Sequence, residues 1–301
     1  MVLTEIEVLT DEGFTLRGHQ SGSGKRVCVG LHGGPGGYGA DYIRPLHDLA
    51  GPNRRVVTFD QLGTGRSDIP RAPYTWTMKQ AALDVDAVRR FTGAETVDVV
   101  GHSYGGVLGL QYVLDLPHRV DRLVLSNTAG GTARLEAAFE DQVREVASTA
   151  DADHALAADA EHRHDDPVFQ SVMRDWLARF FTNGDLTQMD KLAVEAMDSG
   201  PAGLGLWGAS LWTSDGALQG WDIEDRLASI AVPTLAVHGG NDTSSTEINR
   251  VFAERIPDCE WLTMSRNGHG MFDEPNHRTY LSILASFLTA WPLGQENNDA
   301  R

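Results

Sequence analysis

Three things are scarce in this 301-residue chain, and each scarcity excludes something. Cysteine is one. Cys28 and Cys259 are too few for the disulfide framework of a small secreted scaffold. Cys28 lies inside the apolar run Arg26-Val27-Cys28-Val29-Gly30-Leu31, so it reads as a small buried hydrophobe in a reducing compartment. Long apolar runs are another, since none approaches the roughly 20 residues that span a bilayer. The opening Met1-Val2-Leu3-Thr4-Glu5-Ile6-Glu7 also lacks the basic-then-apolar pattern of a secretory signal, and a cytoplasmic protein is expected. Positive charge is the third: 25 Lys and Arg face 42 Asp and Glu, for a net charge of −17. Nucleic acids and anionic membranes recruit basic surfaces, so neither is expected as a partner. The expected partner is a small-molecule or short peptide substrate.

What is present is an alternation. Ile6–Leu9 and Thr15–Gly18 form a hairpin pattern across Asp11-Glu12-Gly13. The runs Val27–Leu31, Arg55–Phe59, Val97–Val100 and Leu123–Leu125 are short and rich in Val and Leu, as strands covered on both faces are. Between them, Thr77–Phe91 and Tyr104–Leu116 space their apolar residues as helices do. Strand and helix in turn predict an α/β fold, a mostly parallel sheet with helices on both faces. After Gly130-Gly131 the pattern changes: residues 132–219 are helical, acidic and without a convincing strand. They read as a helical lid inserted into a core made of residues 1–131 and 220–301. Strands resume at Thr234–Val237 and Trp261–Thr263, with helices at Ser245–Arg255 and His277–Leu288 and a polar tail from Gly294.

The chemistry concentrates at Gly101-His102-Ser103-Tyr104-Gly105, a Gly-x-Ser-x-Gly where a strand ends and a helix begins. In the α/β-hydrolase fold that setting puts the serine on a sharp turn, with its hydroxyl clear of the sheet. Glycines two positions either side avoid collisions with the neighbouring strand and helix. A serine hydroxyl is a weak nucleophile and needs a base that a third group orients. The chain order for this fold is serine, acid, histidine. Asp242 follows a strand in His238-Gly239-Gly240-Asn241-Asp242, and His269 follows the next in Asn267-Gly268-His269-Gly270. Loops at the carboxyl ends of strands are where such sheets place ligands. The remaining histidines fit less well: His102 adjoins Ser103 and cannot face it, His238 ends a strand, and His277 opens the last helix.

An oxyanion needs two backbone N–H donors, one of them from Tyr104, the residue after the nucleophile. The second is expected from His32-Gly33-Gly34-Pro35-Gly36-Gly37, with Gly34 preferred and Gly33 beside it. The same loop matches the dinucleotide pattern Gly-x-Gly-x-x-Gly through Gly34-Pro35-Gly36-Gly37-Tyr38-Gly39, with Asp60 downstream. A dinucleotide site would leave Ser103, Asp242 and His269 unexplained, and no cofactor is expected. His162-Arg163-His164-Asp165-Asp166 reads as a solvated acidic face rather than a metal site. Trp176, Trp207, Trp212, Phe180 and Phe181 read first as lid core. Trp207 and Trp212 are the candidates to face a substrate.

His32-Gly33-Gly34-Pro35-Gly36, Phe59-Asp60-Gln61-Leu62-Gly63-Thr64-Gly65-Arg66-Ser67 and Gly101-His102-Ser103-Tyr104-Gly105-Gly106 together resemble the proline iminopeptidase family of α/β hydrolases. The resemblance covers most of the catalytic core, including Trp221-Asp222-Ile223. It implies a cofactor-free serine hydrolase that cleaves a small amide, typically releasing an N-terminal residue, beneath a helical lid. It also implies glutamates that hold the substrate's ammonium, one late in the lid and one just after the triad acid. Here the residue after Asp242 is Thr243, and Gly208-Ala209-Ser210-Leu211-Trp212-Thr213 offers no carboxylate, with Asp215 the nearest candidate. An ammonium in a covered site needs a counter-charge. That departure suits a neutral amide, ester or lactone, so esterase or lactonase action stands as the alternative. A non-catalytic receptor on the same fold is the remote alternative, against which the complete catalytic set speaks.

Overall fold

The computed structural model describes residues 2–37, 39–182, 200–272 and 277–290. Eight strands form one sheet: β1 Thr4–Leu9, β2 Thr15–Ser21, β3 Arg26–Leu31, β4 Arg54–Phe59, β5 Val97–His102, β6 Val120–Ser126, β7 Thr234–Gly239 and β8 Cys259–Met264. Their spatial order is β1-β2-β4-β3-β5-β6-β7-β8. The β1–β2 and β2–β4 pairs are antiparallel and every later pair is parallel, in agreement with the expected α/β class.

The helices are α1 Gly39–Tyr42, α2 Met78–Thr92, α3 Tyr104–Asp115, α4 Thr132–Val146, α5 Thr149–Ala160 and α6 Pro167–Trp176, followed by α7 Gly200–Leu206, α8 Thr246–Arg255 and α9 His277–Ala290. Local chemistry sets several ends. Thr77 caps α2 by accepting the Gln80 N–H, and Gly93 closes it in the left-handed region at φ 72°. Asp166 caps α6 by accepting from Val168 and Phe169, with Pro167 at the first position.

The central strands are mainly apolar because both faces are covered. Val27, Val29 and Leu31 of β3 join the cluster packed by α2 and α3, whereas Cys28 points to the other face, toward Leu284 and Leu288 of α9. Each such buried side chain contributes about 1.5–3 kcal/mol. Cys28 and Cys259 are both free thiols, and burial pushes each up to about 12. Among the described residues no helix is long and apolar enough to cross a membrane.

Between β6 and β7 the chain builds a third cluster of its own from Phe139, Val143, Phe169, Met173, Trp176 and Trp212. It departs and returns at one point. Gly131 and Asp222 form an isolated bridge, Thr132 N–H donates to Trp221 O at 2.8 Å, and Ile223 N–H donates to Gly130 O at 2.9 Å. Part of this stretch, residues 183–199, and the tail from Gly294 lie outside the described residues.

Candidate active site

Ser103 joins β5 to α3 in a backbone conformation that non-glycine residues avoid, φ 56° and ψ −125°. Its neighbours explain the flanking glycines. A Cβ on Gly105 would lie 2.1 Å from Leu31 O of β3, and one on Gly101 would lie 2.3 Å from Gly105 O. Any side chain at either position would therefore force the turn open. Ser103 N–H donates to Ser126 O at 2.8 Å, and Thr128 Oγ1 donates to Ser103 O at 2.8 Å, so β6 fixes the turn from the other side.

From that turn Ser103 Oγ reaches His269 Nε2 at 2.9 Å, and His269 Nδ1 donates to Asp242 Oδ1 at 2.6 Å. Three residues separated by 166 and 27 positions in sequence meet in one line of hydrogen bonds. Asp242 and His269 are buried, and Ser103 opens on a cavity of about 180 Å³. Gly34 and Tyr104 line the same cavity. Gly34 takes φ 124°, open to glycine and rare for other residues. Tyr104 is the first residue of α3, so its N–H is one of the helix's unpaired donors. Among the described residues neither Gly34 N–H nor Tyr104 N–H has a hydrogen-bond partner.

The other candidates divide. Trp207 lines the cavity. Trp212 does not: it is 1% exposed, wedged against Phe169 and Trp176 in the helical cluster. Asp215 is exposed and does not line the cavity, with Oδ1 accepting the Ala209 N–H at 3.1 Å and Oδ2 lying 3.8 Å from His162. Gly33 is buried and does not line the cavity, and a Cβ on it would sit 3.0 Å from Ser103 Cβ. Of the dinucleotide-like pattern, Tyr38 lies outside the described residues. Asp60 accepts the Ala40 N–H at 2.7 Å and the Arg66 N–H at 2.9 Å, a loop-holding role. His164 contacts Asp159 at 3.1 Å, and among the described residues no group of three or more His, Cys, Asp or Glu could hold a metal.

Several residues that sequence reasoning passed over hold this line in place. Asn127 stands at the end of β6 with φ 51°. Its Nδ2 donates to Gly268 O at 3.1 Å and His269 O at 2.6 Å, and its Oδ1 accepts the Gly239 N–H at 3.2 Å. His102 donates from Nε2 to the same His269 O at 2.8 Å. Burial, with His269 nearby, holds His102 down to about 3, so it stays a neutral donor. Thr243 Oγ1 lies 2.8 Å from His269 Nδ1 and donates to Asp242 Oδ1 at 3.3 Å, while Ser244 Oγ donates to Asp242 Oδ2. One signal was available for Asn127: it follows a strand's carboxyl end and is a residue type that tolerates the left-handed region.

Comparison with known proteins places the fold. A family profile described as alpha/beta hydrolase fold matches residues 29–275. A proline iminopeptidase of Levilactobacillus brevis is 28% identical over 264 residues, 86% of this chain and 87% of that one. A proline iminopeptidase of Clostridioides difficile is 27% identical over 273 residues, 89% of this chain and 91% of that one. Among solved structures, a proline iminopeptidase of Mycobacterium smegmatis superposes with a TM-score of 0.82 at 22% identity, over 95% of this chain and 97% of that one.

Proposed function

Because the chain belongs to the alpha/beta hydrolase fold family and is a hydrolase, we propose that it works as a serine hydrolase, cleaving a small amide or ester through an acyl-enzyme. The observation that carries the reading is the line Asp242–His269–Ser103 at the mouth of the cavity. In it, His269 Nε2 takes the Ser103 proton as Oγ attacks the substrate carbonyl carbon. The oxygen gains negative charge within reach of Gly34 N–H and Tyr104 N–H, fixed dipoles that need no reorganisation. Collapse of that intermediate passes the proton from His269 to the leaving group and leaves an acyl-Ser103 ester. Water then repeats the sequence, His269 accepting its proton, and frees the acid. Asp242 holds the imidazole with Nδ1 protonated and Nε2 free to accept.

We read residues 132–219 as a lid over a core of residues 1–131 and 220–301, because the chain leaves and re-enters at the Gly131–Asp222 bridge. The names of the relatives favour an amide whose cleavage releases an N-terminal residue. Esterase or lactonase action is the second reading, favoured by the apolar lining described below. The test is labelling with a fluorophosphonate together with hydrolysis of p-nitrophenyl esters and amino-acid p-nitroanilides. Ser103→Ala should abolish labelling and lower kcat on the order of 10⁶-fold. Full activity in that variant would overturn the reading.

A further inference from the structure

The cavity in front of Ser103 carries information about the acyl group. Its wall is built from Leu135, Phe139, Trp176, Leu204, Trp207 and Leu211. Among the described residues that line it, none is a carboxylate. Among the described residues, three acids of the helical stretch beside it are already committed to backbone N–H groups. Asp159 accepts from Leu211 N–H at 2.7 Å and Trp212 N–H at 2.9 Å, and Glu136 accepts from Ser214 N–H at 2.7 Å. Asp215 accepts from Ala209 N–H. Thr243, which does line the cavity, has its hydroxyl between His269 and Asp242. A substrate ammonium placed against this apolar wall would lose its hydration and find no counter-charge among the described lining residues. Size narrows the class further. An apolar cavity of about 150 Å³ holds one benzene ring, so about 180 Å³ holds a group of about six to eight heavy atoms.

We propose that the acyl half of the substrate is an uncharged, mainly apolar carboxylic acyl group of about that size, ring-bearing or branched, with no free ammonium. This rests on the serine-hydrolase reading and narrows it.

A matched pair tests the charge: the p-nitroanilides of cyclopentanecarboxylic acid and of proline, which differ by a CH₂ in place of the ring NH₂⁺. At pH 7 the neutral member should have a kcat/KM on the order of 100-fold higher, and the gap should narrow above the pKa of the prolyl amine. A p-nitrophenyl ester series tests the size. From acetate to cyclohexanecarboxylate, kcat/KM should rise about fourfold per added methylene, then fall for decanoate. Leu135→Phe, which fills part of the wall, should move the maximum to smaller acyl groups. Equal or preferred cleavage of the prolyl member, or a flat ester series, overturns the proposal. Fluorophosphonate labelling of Ser103 separates the two levels. A labelled enzyme that prefers the ammonium loses only the substrate class, whereas Ser103-independent hydrolysis removes the serine-hydrolase reading and this inference with it.

Discussion

Asn127 shows how much of the geometry around His269 can rest on one carboxamide. Its left-handed backbone turns the end of β6 so that one carboxamide reaches the β7 end and the histidine loop together. Removing it strands the buried Gly239 N–H and takes one donor each from the Gly268 and His269 carbonyls, the latter keeping His102, and a buried group left unsatisfied costs about 1–3 kcal/mol. Asn127→Ala should therefore lower stability by about 2–4 kcal/mol. The histidine loop would loosen, and kcat should fall more than KM rises. Chemical denaturation and steady-state kinetics on the same variant check this. An unchanged kcat in a destabilised variant would show that His102 Nε2 alone suffices to place His269. Ser103, Asp242 and His269 were legible in the sequence because each follows an apolar run inside a glycine-marked loop. Asn127 was not, because its role appears only once a loop more than 140 positions away arrives beside it. Trp207 and Trp212 were equally plausible as pocket residues, since composition cannot separate an aromatic that fills a core from one that faces a cavity.

At the level of elements, the helical stretch after β6 is tied to the Asp242 loop by side chains as well as by packing. Gln142 of α4 donates from Nε2 to Asp242 O at 3.1 Å and to Thr243 O at 3.0 Å. Its Oε1 accepts from Trp176 Nε1 of α6 at 3.0 Å. The π-helical turn Leu177–Phe181 that follows α6 does the same for the His269 loop, with His269 N–H donating to Phe180 O at 2.9 Å and the Phe181 ring 4.6 Å from the imidazole. The helical stretch that lines the cavity thus also registers the Asp242 and His269 loops. Gln142→Ala should lower kcat about tenfold and cost about 1–3 kcal/mol of stability. Measurement of kcat beside the unfolding midpoint tests the coupling, and loss of stability alone would confine Gln142 to a packing role. The central strands were readable because each holds a compact apolar run in a sheet covered on both faces, and the first two because of the turn chemistry between them. The π-helical turn was not, because Leu177-Ala178-Arg179-Phe180-Phe181 carries no local mark that distinguishes it from a continuing α-helix.

For the molecule as a whole, pH acts on buried groups and surface charge in opposite directions. Burial lowers His32, takes His47 down to about 4 and His102 down to about 3, against a value near 6.5 in the unfolded chain. Their folded-state pKa values are depressed, so the stability they contribute is complete above pH 6.5 and is lost as pH falls toward 4. Asp84 runs the other way. Burial raises it to about 7, so its contribution is complete below its unfolded value near 3.8 and is lost as pH rises through 7. Self-repulsion from the net charge of −17 adds to the alkaline side. Thermal stability should therefore peak between about pH 6 and 7. Asp84→Asn, which keeps an acceptor for Gln80 Nε2, should stabilise by about 2–3 kcal/mol more at pH 8 than at pH 5. Sodium chloride at about 0.5 M shortens the screening length to a few ångströms, which quiets surface repulsion but reaches buried groups weakly. Salt should then raise the midpoint at pH 8 while leaving the fall below pH 6 in place. Unfolding midpoints across pH 4–9 with and without salt decide it. If salt erased the acid limb, surface charge would govern both sides, and the buried histidines would have no measurable part in acid unfolding.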